Sequence, residues 1–511
     1  MSKMRGRILI PLPNTGAMGR KRNNFYMRSI FLLALCIFGL LQYHNFNYLD
    51  SRDNALGEAV TNDSDDAILA MVPAPLHKYL TPHTRNHTTS GAGVVSGAAL
   101  LLNSSSSGAA TATTISFDVY HPPNITEIKR QILRYNDMQT VLNEDTFGPL
   151  QNDSVIIVVQ VHTRITYLRH LIVSLAQAKD ISKALLVFSH DYYDDDINDL
   201  VQQIDFCKVL QIFYPYSIQT HPNEYPGVDP NDCPRNIKKE QALMANCNNA
   251  MFPDLYGHYR EAKFTQTKHH WIWKANRVFN ELEVTRYHTG LVLFLEEDHY
   301  VAEDFLYLLA MMQQRTKDLC PQCNVLSLGT YLKTFNYYTY HSKVHARARA
   351  RTLKIDRQSI IGDYRKVEVM PWVSSKHNMG FAFNRTTWTN IRKCARHFCT
   401  YDDYNWDWSL QHVSQQCLQR KLHAMIVKGP RVFHIGECGV HHKNKNCESN
   451  LVISKVQHVL RIARNSHQLF PRSLTLTVPS LIKKSKLRKG NGGWGDLRDH
   501  ELCLNMTLPT R

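Results

Sequence analysis

The chain of 511 residues holds only 23 Gly and 20 Pro, which excludes a collagen-like or Pro/Gly-rich protein. No G-x-x-x-x-G-K-[ST] occurs, and no G-x-G-x-x-G directly follows a predicted strand, so P-loop and dinucleotide readings lack their phosphate cradle. Acidic residues are missing before Asp50, whereas Lys3, Arg5, Arg7, Arg20, Lys21, Arg22 and Arg28 precede it. Formal charge is absent altogether from residues 29–49, and 30–41 is almost wholly apolar. About 20 such residues cross a hydrocarbon core, and the basic flank keeps the N-terminus cytoplasmic. A cleaved signal peptide is the alternative, but residues 42–48 offer no small-x-small cleavage site, which favours a signal anchor with everything after it luminal. The net charge of +16 is therefore partly a membrane-flanking tail and does not mark a nucleic-acid binder.

What is present suits that compartment. At 43% hydrophobic and 20% charged residues the chain can bury a core, which excludes wholesale disorder. Of 12 Cys, Cys36 falls in the apolar span, and the odd remainder predicts one free thiol among bridged partners. Asn-x-Ser/Thr sequons at Asn62, Asn86, Asn103, Asn124, Asn152, Asn384 and Asn505 all follow the span. The reading divides the chain into a basic tail (1–28), an anchor (29–49), a stem (50–121) and one folded domain (122–511). Residues 88–114 of the stem, built of Ser, Ala, Gly and Thr, have too few large apolar groups to offset the entropy of ordering. No internal repeat is visible.

Within the domain, VIIVVQV (155–161) reads as a buried strand, 165–178 as a helix with Leu168, Leu171, Ile172 and Leu175 on one face, and ALLVF (184–188) as a second strand. This βαβ unit implies an α/β fold whose parallel sheet presents ligands at the carboxyl ends of its strands. LVLFL (291–295) is another buried strand, followed by an amphipathic helix over about 303–314.

Directly after that strand come Glu296, Glu297, Asp298 and His299, a hard oxygen site for a divalent ion that can bind phosphate; the alternative is a solvated acidic turn. TYDDYNWDWSL (400–410) sets Asp402, Asp403 and Asp407 among aromatic rings, an arrangement suited to a sugar and to a carboxyl whose pKa is raised toward a general base's range. An aromatic core with capping acids is the alternative. In 433–442 three His and a Cys could form a zinc site, but in an oxidising lumen Cys438 pairs, with Cys447 the nearest candidate, which leaves a single His to help the carboxylates or to be structural. QTKHHW (266–271) opens a helix running to about 282, with Lys268 near an anion site or simply starting a helix. Cys320-Pro-Gln-Cys323 reads as a structural disulfide rather than a redox pair, and the basic stretches 341–366 and 483–489 as solvated loops.

The strings QVHTR (160–164), YREAKFTQTKHHW (259–271), FLEEDHYVAEDF (294–305), HNMG (377–380), CTYDDYNWDWSLQ (399–411), FHIGECGVHHK (433–443) and NGGWGDLRDHELC (491–503) together resemble the N-acetylglucosaminyltransferase II family of N-glycan processing. The resemblance covers about 122–503 and implies a GT-A-like, Rossmann-related glycosyltransferase, a Golgi type II membrane enzyme. It implies inverting transfer of N-acetylglucosamine from UDP-GlcNAc in β1,2 linkage to the α1,6-arm mannose of an N-glycan acceptor. Asp298 resembles the metal-binding carboxylate, His434 the second ligand to Mn²⁺, and Asp407 the general base. Gln160, Val161, His162, Thr163, Arg164 and Asp191 would hold the nucleotide, and Gln266, Thr267, Lys268, His269 and His270 the rest of the donor. The matched cysteines imply bridges Cys233–Cys247, Cys320–Cys323, Cys394–Cys417, Cys399–Cys503 and Cys438–Cys447, leaving Cys207 as the odd thiol. The chain departs from the family in the basic insertion 341–366, and Phe335 stands where a polar or basic donor contact is expected. A metal-dependent hydrolase using the same carboxylates and a sugar-binding membrane module without turnover are the competing readings. Oligomeric state is not legible in the sequence.

Overall fold

The computed structural model describes residues 69–81, 124–330, 363–436, 449–477 and 489–507. The apolar span 29–49 lies outside them, as do most of the stem, Phe335, nearly all of the basic insertion, and residues 437–448 with the Cys438–Cys447 pair. Among the described residues no helix is long and apolar enough to cross a membrane.

The domain opens with α1 (Ile125–Met138), whose N-terminus is capped by the Asn124 side chain accepting from the Thr126 N–H. There follow β1 (Ile156–Val161), α2 (Ile165–Ala176), β2 (Leu185–His190), α3 (Asp195–Gln202) and β3 (Lys208–Phe213). The β-branched run of β1 alternates between two cores: Ile157, Val159 and Val161 join one and Ile156 and Val158 the other. That two-sided burial is why the strand reads as a continuous apolar stretch rather than an alternating one. Next come α4 (Lys239–Ala245), α5 (Ala262–Asn276), β4 (Leu291–Glu296), β5 (His299–Val301), α6 (Phe305–Leu319) and β6 (Val325–Ser327). The chain continues with β7 (Lys366–Pro371), β8 (Phe381–Asn384), α7 (Arg385–Lys393), α8 (Trp406–Gln416), β9 (His423–Val427) and β10 (Val432–His434). It ends with α9 (Ser449–Asn465), β11 (Thr475–Thr477) and α10 (Leu497–Asn505).

Nine strands form one sheet in the order β11-β7-β9-β6-β8-β4-β1-β2-β3. The expected parallel sheet is present only in the β4-β1-β2-β3 half. Beyond β4 the sheet is mixed, because β8 runs antiparallel to both β4 and β6, and β7 antiparallel to β9. In the parallel half the register pairs Gln160 with Glu296 and with Ser189, so the carboxyl ends of β1, β2 and β4 finish side by side. A small second sheet pairs β10 with β5 and sets His434 opposite His299.

Disulfides join Cys233–Cys247, Cys320–Cys323, Cys394–Cys417 and Cys399–Cys503, and Cys207 is a buried free thiol. One stretch inside the range read as stem is built into this domain. Tyr79 is fully buried, its hydroxyl donating to Asp205 Oδ1 at 2.7 Å, and Lys78 pairs with Asp205 Oδ2 at 2.6 Å. Arg169 Nη1 donates to the Tyr79 and Thr81 carbonyls, and Val72 is also buried. The folded unit therefore begins before the expected start at 122. A protein beginning at 122 should be less stable than one beginning at 69 by about 3–6 kcal/mol, the burial of two large side chains. Parallel calorimetric melts check this, and coincident melting would contradict it.

Candidate active site

Where β4 ends, the chain turns sharply into β5, and the turn separates the three carboxylates. The Glu297 N–H continues the ladder to Gln160 O at 2.9 Å, while its side chain swings under the 160–164 loop. There Glu297 accepts from His162 N–H at 2.7 Å and from Arg164 Nε at 2.8 Å. Glu297 is thus a clamp on that loop and not a member of the oxygen cluster.

Glu296, Asp298 and His299 stay together, with one potential ligand atom from each lying within 4.8 Å of the others. Asp298 is 2% exposed; its Oδ2 pairs with Arg164 Nη1 at 2.8 Å and His434 Nε2 at 3.1 Å, while its buried Oδ1 has no hydrogen-bond partner. Burial would raise the Asp298 pKa, but His434, Arg164 and His299 together hold it well below the usual carboxylate range. Burial likewise works against protonation of His434, and the Asp298 contact outweighs it, so that its pKa rises.

His299 behaves differently. Burial pushes its pKa down to about 3, and its Nδ1 accepts the Glu296 N–H at 3.1 Å. The neutral ring therefore carries its proton on Nε2, making that atom a donor and not a ligand. In that cluster the Asp298 and Glu296 oxygens are the hard donors a small divalent ion would use, and His434 adjoins them through its Nε2 contact with Asp298. Gly436 closes over this corner, for a Cβ there would lie 2.2 Å from Asp298 Oδ2 and 3.1 Å from Arg164 Nη1.

Beside it, the ends of β1 and β2 and the start of α5 form a polar cluster. His162 Nδ1 lies 2.6 Å from Asp191 Oδ1, and Gln266 Nε2 donates to Asp191 Oδ2 at 3.1 Å. His270 reaches Ser189 Oγ at 2.8 Å through Nε2 and faces Asp191 Oδ2 at 3.4 Å. Thr163 and Thr267 are exposed nearby. Other residues of the same two strings face away. Val161 is core, and Gln160 accepts from the buried Lys274. Lys268 is fully buried, with Nζ donating to the Tyr401 and Asp403 carbonyls at 3.0 and 2.9 Å and stacked over Trp494. His269 is tied to Asp499 at 2.9 Å. Lys268 and His269 thus brace the C-terminal segments, whereas Gln266 and His270, four residues apart on one helical face, turn to Asp191.

Asp407 lies in the first turn of α8. Its Oδ1 accepts the Trp408 N–H at 2.9 Å, and its Oδ2 accepts from Asn378 Nδ2 at 3.0 Å, while the buried Asn378 Oδ1 is without a partner. Desolvation is the main reason its pKa is pushed up to about 7, with the negative charges of Asp403 and Glu296 adding to it. The neighbouring acids do other work: Asp402 accepts the Leu255 and Trp494 N–H groups, and Asp403 those of Asn405 and Asn491. Of the rings in that string only Trp406 belongs to the core, stacked on Trp271 at 4.7 Å; Tyr401, Tyr404 and Trp408 are half-buried, with Tyr401 stacked on His412 at 4.1 Å. The glycine-rich run 490–495 matches G-x-G-x-x-G by letter, yet it follows no described strand, and Gly493 N–H donates to Asp254.

Sequence reasoning missed the Glu297 clamp, Asn378 against Asp407, and Lys274 behind Gln160. Only Lys274 carried a local signal, a cation set directly among the apolar residues of a buried helix.

Residues 129–354 and 352–503 match the family model "N-acetylglucosaminyltransferase II (MGAT2)", the two spans meeting inside the basic insertion. The alpha-1,6-mannosyl-glycoprotein 2-beta-N-acetylglucosaminyltransferase of Mus musculus is 43% identical over 384 residues, covering 74% of this chain and 81% of that protein. The proteins of the same name from Homo sapiens and Arabidopsis thaliana are 42% identical over 372 residues (73% of this chain, 77% of theirs) and 32% over 373 (72% and 78%). Among solved structures, the bifunctional glycosyltransferase WbbM aligns at a TM-score of 0.30 and 10% identity over 63% of this chain and 53% of its own, too distant to add to the argument. The matched spans contain the acidic corner, the polar cluster and Asp407 alike, and the chain belongs to the N-acetylglucosaminyltransferase II family.

Proposed function

We propose that this protein is an inverting, GT-A-like glycosyltransferase that moves N-acetylglucosamine from UDP-GlcNAc in β1,2 linkage to the α1,6-arm mannose of N-glycans. The observation that carries the chemistry is Asp407, a desolvated carboxyl with a raised pKa, held by Asn378 and the Trp408 N–H on α8 and not on the strand end that carries Asp298. Inversion needs one base, on the side opposite the leaving group, to take the acceptor hydroxyl's proton, and Asp407 fills that role without a second catalytic carboxyl. Asp298 and His434, with Glu296 beside them, would hold Mn²⁺, which when bound neutralises charge on the departing diphosphate. His162, Asp191, Gln266 and His270 orient the nucleotide and sugar of the donor, and Arg164 offers a cation at the pyrophosphate side.

We place the catalytic domain in the Golgi lumen, held by a single span at 29–49 with the basic tail 1–28 in the cytoplasm; the charge asymmetry around that span supports this orientation. Mn²⁺ removal tests the cofactor. Dialysis against EDTA should abolish transfer, and added Mn²⁺ should restore it; transfer that persists in EDTA would exclude the metal role. Product released without an acceptor would instead favour a hydrolase.

A further inference from the structure

Glu297, beside the acidic corner, is a buried carboxylate to which the reaction gives no role. It is 2% exposed, and its oxygens are spent on the 160–164 loop: Oε2 on the His162 and Arg164 N–H groups at 2.7 and 3.4 Å, Oε1 on Arg164 Nε at 2.8 Å. A buried carboxylate is tolerated only when such partners are present, so the loop and the carboxylate define one another's position. The guanidinium fixed in this way reaches on with Nη1 to Asp298 Oδ2 at 2.8 Å, with Gly436 packed directly against the pair.

We propose that Glu297 is a positioning residue for donor binding: it shapes the 160–164 loop and aims Arg164 before the nucleotide diphosphate arrives. This rests on the reading of that loop as nucleotide-holding. An anion site assembled in advance spends none of its binding energy on ordering a loop and a long side chain, whereas a loop without its clamp must be ordered each time. Glu297 touches no substrate in this account and acts through Arg164 and the loop backbone.

A double-mutant cycle tests it, with UDP binding in saturating Mn²⁺ measured by calorimetry on the full catalytic domain beginning at 69. Glu297→Gln keeps size and shape and should weaken UDP about tenfold or more; Arg164→Lys keeps a cation but loses the Nε donor and should weaken it similarly. The double variant should be little worse than the worse single one, the mark of groups acting as a unit. Losses that multiply, or a folded Glu297→Gln protein that binds UDP like the wild type with only a lower melting temperature, would overturn the proposal. Should Glu297→Gln fail to fold, Glu297→Asp, which retains the buried charge, takes its place in the same cycle with the same expectation. Wild-type protein that does not bind UDP would overturn the donor reading itself, an outcome separate from either.

Discussion

Asp407→Asn should lose roughly three orders of magnitude in kcat, bind UDP normally, and yet melt at a higher temperature than the wild type above pH 8. The loss follows from the chemistry: without a base the mannose hydroxyl keeps its proton as the glycosidic bond breaks, and a positioned base contributes about 10²–10⁴-fold. The gain in stability follows from burial, which pushes the Asp407 pKa up to about 7. The folded state thus favours the protonated form, so wild-type stability declines as pH rises from the unfolded value near 4 through 7 and stays lower beyond it. The neutral amide is spared that penalty, on the order of 2 kcal/mol for a partly buried group. The same value sets the pH profile: kcat should fall as pH drops below about 7, because the base becomes protonated. Normal kcat in Asp407→Asn would remove it as the base, and a lower melting temperature at pH 8 would contradict the desolvation account.

Asp298→Asn attacks the other half of the site. It removes the carboxylate that pairs with Arg164 and His434 and whose Oδ1 is buried without a partner. A neutral amide oxygen holds a hard divalent ion more weakly than a carboxylate does, so Mn²⁺-dependent strengthening of UDP binding should be largely lost. Transfer should fall by about a thousandfold or more, several kcal/mol of charge stabilisation lost at the departing diphosphate. The protein should remain folded, since the carboxylate's removal lets Arg164 keep its contact with Glu297. Calorimetry of UDP with and without Mn²⁺ reads the effect directly, and unchanged metal dependence would show that the ion sits elsewhere.

Much of the site was legible because its residues end strands that announce themselves. The β-branched run before Gln160 and the apolar run before Glu296 are buried on both faces, and their register brings the two motifs together. The limits were set by alternation. Consecutive side chains point different ways, so Glu297 left the acidic cluster for the neighbouring loop while Glu296 and Asp298 remained. In α5 the same geometry divides Gln266 and His270 from Lys268 and His269, a separation that helical period alone could have revealed. Asp402 and Asp403 share a string with Asp407 but cap loops that meet only in the fold, a contact between residues far apart in sequence.

The mixed half of the sheet was hidden for another reason. Its strands β6 and β11 are three residues long and β8 four, too short for periodicity to reveal them or for anything local to fix their direction. The packed stretch around Tyr79 was lost in a region judged by its Ser/Ala-rich neighbour, although Leu76, Tyr79 and Leu80 are the kind of apolar residues a tether lacks.

The central claim is tested most directly by assaying the domain beginning at 69, secreted without residues 1–68, with UDP-GlcNAc and Mn²⁺ on an N-glycan that already carries N-acetylglucosamine on the α1,3 arm. One N-acetylglucosamine added in β1,2 linkage to the α1,6-arm mannose, and lost on addition of EDTA, is the predicted result. UDP binding without any acceptor-dependent product, or release of free sugar in its place, would contradict it.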